Sequence, residues 1–195
     1  MSGKLWYTLT NIKKWADAHA NLPTGQGGRE SGCGPLKGQL SGTLVGPPSL
    51  EGFVFSESLI DHVTIQAFLE TEYHVFGDSP FTLRIGEPNS ALAAVYKRNC
   101  AESSAYITAS NPNSKTLGDS ENEERNNALR RELIERNFAF VEGVGKHPSN
   151  EWLGEASFLI FGIDLETARD LSRRMQQDAF VWAGSDWVPR LILLK

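Results

Sequence analysis

The 195-residue chain is poor in the features that mark most functional classes. It has only two cysteines, Cys33 and Cys100, with no Cys-x-x-Cys pair and no Cys/His cluster. That is too few for a disulfide framework and the wrong spacing for zinc. Positive charge is also in deficit. Nineteen Lys and Arg face 24 Asp and Glu, the net charge is −5, and no basic run exceeds two residues. Generic binding to a phosphate backbone draws on clustered Lys and Arg, so this balance argues against it. No segment approaches the roughly 18 apolar residues of a membrane span. The opening "MSGKLWYTLTNIKKW" has no apolar signal core, so a cytoplasmic, reducing location without membrane contact is the expectation.

Catalytic signatures are missing as well. There is no G-x-G-x-x-G after a strand, no P-loop Lys-Ser/Thr, no G-x-S-x-G elbow and no H-E-x-x-H. The glycines of "TGQGGRESGCG" have no strand before them and no capped helix directly after, so they do not read as a phosphate cradle. The four histidines, His19, His62, His74 and His147, are scattered, with no two at helical ligand spacing. They read as structural, and no metal site is expected.

What is present begins with an amphipathic helix within residues 1–22, where Ile12, Trp15, Ala16 and His19 share a face and Thr10 can cap. Residues 23–52 hold nine of the 18 glycines and four of the nine prolines. Such a segment buries too little apolar surface to offset its ordering entropy alone, and it reads as a linker or a draped loop. Residues 53–195 read as a single α/β domain.

Within that domain "SLIDHVTIQAFLETEY" reads as a helix with Leu59, Ile60, Val63, Ala67 and Phe68 inward, and "FTLRIG" as a strand. "NSALAAVYKRN" is a second helix, "SAYITA" a second strand. "SENEERNNALRRELIERN" is a third helix with Ser120 and Glu123 as a capping box and Ala128, Leu129, Leu133 and Ile134 as its buried stripe. "FAFVEGVG" and "ASFLIFGI" are strands, Asp164 caps a fourth helix, and "AFVWA" and "VPRLILL" close the chain around a Ser185-Asp186 turn. The order β-α-β-α-β-β-α-β-β predicts a mixed β-sheet with helices packed on it, in two or three layers.

The residues able to carry chemistry are polar, mostly uncharged, and sit at the ends of these elements. "AYITASNPNS" runs from a strand into Asn111-Pro112, a turn enforced by the proline. Asn122 lies in the first turn of the next helix. Trp152 and Glu155 precede an apolar strand that contains Ser157, and Gln177 follows the last helix. Asn, Gln, Ser and Thr offer donors and acceptors without charge, which suits a neutral planar ligand such as a nucleobase or an amide. Glu155 beside Trp152 needs pairing or a solvated cleft, with Arg84, Lys146 and Arg190 as candidate partners.

These motifs in this order resemble a bacterial family catalogued as domain of unknown function 3293. Its pattern runs Ala-Tyr-x-Thr-Ala-x-Asn-Pro-x-Ser, Glu-Asn, Trp-x-x-Glu-x-Ser-Phe and Gln-x-Ala. The resemblance spans about residues 67–195 and falls on Tyr106, Thr108, Asn111, Pro112, Ser114, Asn122, Trp152, Glu155, Ser157 and Gln177. It implies a shared site and confers no activity.

Three functional readings follow. One is a small-ligand or nucleotide-recognition domain, with Thr108, Asn111, Ser114, Asn122, Trp152, Ser157 and Gln177 binding and the ligand's identity open. Another is a hydrolase or transferase with Glu155 as acid or base, its cofactor unknown. The last is an interaction module, such as an inhibitor or counter-defence factor, that docks on a protein partner through residues 1–52. All three leave each polar residue a structural role as cap or turn unless these groups meet in one hollow.

Overall fold

The computed structural model describes residues 58–149 and 152–195. The expected helix within residues 1–22 and the glycine-rich segment 23–52 lie outside them. Helix α1 (His62–Glu70) leads into strands β1 (Glu72–Val75) and β2 (Phe81–Leu83), followed by α2 (Ser90–Asn99) and β3 (Ser104–Ile107). A short 3-10 turn (Pro112–Ser114) precedes α3 (Asp119–Glu135). Next come β4 (Phe140–Lys146), β5 (Glu155–Phe161), α4 (Leu165–Arg174), β6 (Ala179–Ala183) and β7 (Arg190–Leu193). Among the described residues no helix is long and apolar enough to cross a membrane.

The seven strands form one sheet in the order β2-β1-β4-β5-β3-β6-β7. The α/β class and the packing of helices on the sheet are as expected, but every pair of neighbours is antiparallel. The helical crossovers do return the chain in the same direction, which is why parallel pairs were expected. β5 lies between β3 and β4, however, and β3 between β5 and β6. The unit β3-α3-β4-β5-α4-β6 thus has the split β-α-β connectivity of ferredoxin-like folds. β1, β2 and β7 widen it at both edges.

The two faces carry separate cores. Ala105, Ile107, Phe158, Ile160 and Phe180 pack against Leu129 and Leu133 of α3 and Ala168 and Leu171 of α4. Tyr73, Leu83, Tyr106, Leu159, Phe161 and Val181 pack against Leu92, Val95 and Tyr96 of α2. The result is three layers, with period-two alternation assigning each strand residue to one core.

Local signals account for the element ends. Asn89 caps α2 by accepting from the Leu92 N–H at 2.9 Å, and Asp164 caps α4 by accepting from the Thr167 N–H at 2.9 Å. Two readings needed correction. α1 stops at Glu70 because Thr71 is extended (φ −64°, ψ 135°), and the residues after it pair as β1. Leu59 and Val63 are 89% and 73% exposed, while Ile65 is the buried residue of α1. In α3 the first turn has Gly118 as N-cap and no side-chain cap. Its buried stripe is Asn126, Leu129 and Leu133, with Asn122 one turn earlier, whereas Ala128 and Ile134 face solvent.

Candidate functional site

Helices α3 and α4 cover one face of the split β-α-β unit. The other face is covered by α2 at one end, and at the other it opens into a cavity of about 390 Å³ between the sheet and α1. The hollow comes from the sequence "EGVGK". On β4, Gly143 and Gly145 point to this face, opposite Ser157 and Glu155 of β5 in register. Gly145 lines the cavity beside Tyr73, whereas the space before Gly143 is taken up by Tyr106. The two tyrosine rings meet edge to face at 5.4 Å. Gly143 is also obligatory for close approach, because a Cβ there would overlap His74 O and Tyr106 Oη. The Tyr106 hydroxyl uses that space to donate to His74 O at 2.9 Å.

Asn111 is the centre of the polar network. It sits in the left-handed region at φ 46°, and Asn113 and Ser114 follow at 53° and 55°. Non-glycine residues seldom adopt this conformation, and here side chains hold the segment in place. Asn126 Oδ1 accepts from the Ala109 N–H at 3.0 Å, and its amide donates to Ser110 Oγ at 2.7 Å. Arg125 donates through Nε to Ala109 O at 2.7 Å and through Nη2 to Met175 O at 2.8 Å. Gln177 Nε2 donates to Ser110 O at 2.9 Å. Asn122 Oδ1 accepts from the Asn111 N–H at 2.8 Å.

These contacts orient the Asn111 amide. Its oxygen accepts from the Leu117 N–H at 2.9 Å and from Asn122 Nδ2 at 3.0 Å. Its nitrogen must therefore face the other way, and it donates to Glu155 Oε1 at 2.7 Å. Glu155 is strongly perturbed by its position in the cavity. Burial pushes its carboxyl up from 4.5 to about 7, and the Asn111 hydrogen bond opposes that rise only in part. Burial likewise raises the phenols of Tyr73 and Tyr106.

The approach to Glu155 runs through Gly154 at φ 85°, where a Cβ would come within 2.6 Å of Gly145 O. This turn lays Trp152, 38% exposed, at the cavity edge. On the far wall the Ser114 hydroxyl donates to Asp178 Oδ2 at 2.6 Å, and Lys195 Nζ lies 2.5 Å from Asp178 Oδ1. His147, also on the wall, lies 3.1 Å from Glu70 of α1 through Nε2.

Thr108, Asn111, Ser114, Trp152, Glu155, Ser157 and Gln177 all line this one cavity. Asn122 does not; it stands behind Asn111 and positions it. Several of the lining groups are spent on the framework. Thr108 donates to Ala156 O at 2.7 Å and Ser157 to Glu155 O at 3.0 Å. The expected cationic partners of Glu155 are engaged elsewhere or absent from it: Arg84 pairs with Glu72 and Arg190 with Asp186. Among the described residues Glu155 forms no ion pair.

Sequence reasoning missed Arg125, Asn126, His147 and Asp178. Asn126 had a usable signal, since it lies four residues after Asn122 and so on the same face of a helix. Asp178 and His147 had none, because their neighbours come from α1, the 3-10 turn and the end of the chain.

The polar network lies almost wholly within the β3-α3-β4-β5-α4-β6 unit, and a family match falls on the same stretch. Residues 107–180 match the family described as Protein of unknown function (DUF3293). Every candidate site residue lies inside that DUF3293 match. The flanks 67–106 and 181–195, which the motif resemblance had included, lie outside it. No curated protein and no solved structure matches the chain.

Proposed function

We propose that this chain is a small-ligand recognition domain, with the cavity between α1 and the sheet as its binding site. The observation that carries the reading is convergence. Residues from α1, β1, β3, the 3-10 turn, β5 and the α4–β6 junction border one hollow, with Glu155 and Trp152 at its edge. A volume of about 390 Å³ falls in the range of small-molecule sites and suits a nucleobase, a nucleoside or another planar amide. Among the described lining residues there are two carboxylates and no lysine or arginine. A phosphate group is thereby disfavoured inside the cavity, and the base-like part of a nucleotide is the part that fits.

The test is a thermal-shift screen of nucleobases, nucleosides, nucleotides and planar amides, repeated on Gly145→Val. A ligand at a hundredfold excess over its Kd stabilises by about 2.7 kcal/mol, roughly 5–10 °C in a chain of this size. A Cβ on Gly145 makes ordinary contacts at 3.7 Å, so the larger side chain is accommodated on the cavity wall, and a cooperative unfolding transition of the unliganded variant checks its fold. Stabilisation of the parent that disappears in Gly145→Val supports the site. Equal stabilisation of both proteins refutes it.

The raised carboxyl of Glu155 favours a second reading, in which it serves as general acid or base in a hydrolase or transferase. Incubating each ligand found with the protein and following it by NMR separates the two. Conversion that stops in Glu155→Gln supports catalysis, and unchanged ligand supports recognition alone.

A further inference from the structure

We propose that the ligand of this cavity carries a basic nitrogen, an amine or an amidine, which becomes the counter-ion of Glu155. The inference rests on the recognition reading of the cavity above and extends its ligand class to cations. Glu155 receives one hydrogen bond from the described residues, the neutral one from Asn111 at 2.7 Å. The second carboxylate of the wall, Asp178, differs in this respect, since Lys195 forms an ion pair with it and Ser114 donates to it. Among the described residues the hollow therefore has one acidic group without a cation and one paired with a lysine.

The remaining surroundings fit the same chemistry. Phe68, Tyr73, Tyr106 and Trp152 line the cavity, and aromatic faces attract organic cations through the ring quadrupole. The titratable and polar groups that share the cavity with Glu155 include Tyr73 on β1, Tyr106 on β3, Asn111 after β3, His147 in the β4–β5 loop and Asp178 after α4. The two phenols are protonated at neutral pH as ordinary phenols are, and burial raises them further. Asn111 cannot supply charge, and its amide is locked by Leu117 and Asn122. A ligand ammonium or amidinium would donate to the carboxylate, and burial would then act on a neutral pair instead of on a lone charge. The proton that Glu155 holds in the empty protein would be released to solvent as the cation enters.

Benzamidine and phenethylamine, with their neutral counterparts benzamide and phenylethanol, are the probes, measured by ligand-detected NMR and calorimetry on the full chain. Near pH 8 the cations are expected to bind about tenfold or more tighter than the neutral molecules, as befits a hydrogen bond to a charged group. Titration in buffers of different ionisation enthalpy should show proton release that grows as the pH falls through 7. Glu155→Gln should erase the cation preference, so that each cation and its neutral counterpart bind alike. Equal binding of cations and neutrals, or a preference that survives in Glu155→Gln, overturns the inference and leaves the recognition site standing. Silence of all four probes together with the wider screen removes both.

Discussion

Replacing Glu155 by glutamine should make this protein more stable in mild alkali and leave it unchanged in acid. The carboxyl titrates at about 7 in the folded chain against an ordinary 4.5, because burial disfavours its charge. Below the lower value it is protonated in both folded and unfolded chains, so ionisation costs nothing. Between the two values the unfolded chain has lost the proton and the folded chain keeps it. The free energy of unfolding then falls by about 1.36 kcal/mol per pH unit. Above 7 the loss is complete. The full difference is roughly 3 kcal/mol, and about 2 kcal/mol after discounting for the partly solvated position. Glutamine retains a carbonyl oxygen to accept from Asn111 and never ionises. Urea titrations of parent and variant at several pH values isolate this term, since every other group is common to both. The variant should gain about 2–3 kcal/mol near pH 8, roughly 4–10 °C in Tm, and nothing near pH 4. A difference independent of pH, or a variant less stable in alkali, would refute the claim that burial of this carboxyl governs its ionisation.

Two further substitutions probe the framework. Asn126→Leu removes the acceptor for the Ala109 N–H and the donor to Ser110 Oγ, so urea unfolding should show a loss of about 1–3 kcal/mol. A smaller loss would mean that the segment before Asn111 is held by other contacts. Gly143→Ala places a Cβ against both His74 O and Tyr106 Oη and should cost at least about 2 kcal/mol. Adding Tyr106→Phe removes only one of the two obstacles, so the double variant should stay well below the parent. Full rescue by Tyr106→Phe would show that the backbone contact is not limiting.

The elements themselves were legible from local patterns. Asn89 and Asp164 announce their helices because a side-chain acceptor must meet the first free N–H groups, whatever the rest of the chain does. β3, β5 and β6 are runs of β-branched, aromatic and small apolar residues, which specify a buried strand without reference to neighbours. β1 was hidden because "FLETEYHV" continues a helical spacing of apolar residues. Only pairing with β4 and β2 pulls it into extended form. The buried face of α3 was misread for a related reason. Ala128 and Ile134 look like core by hydropathy, yet the helix turns Asn122 and Asn126 inward because the backbone of residues 109–111 needs their amides.

The sequence by itself determined the α/β class, the order of the elements and the list of polar residues at their ends, since each follows from interactions among near neighbours. Tertiary structure alone decided that the sheet is antiparallel throughout, that Asn111 rather than an arginine partners Glu155, and that Gly145 of β4 lies opposite that carboxyl on the wall of a hollow. The physical reason is range. Caps and periodicity act over a few residues, whereas Asn111 and Glu155 are 44 positions apart and meet only because β3 and β5 are paired. Desolvation of the carboxyl, the property on which its chemistry depends, has no existence in the chain until the sheet and α1 close around it.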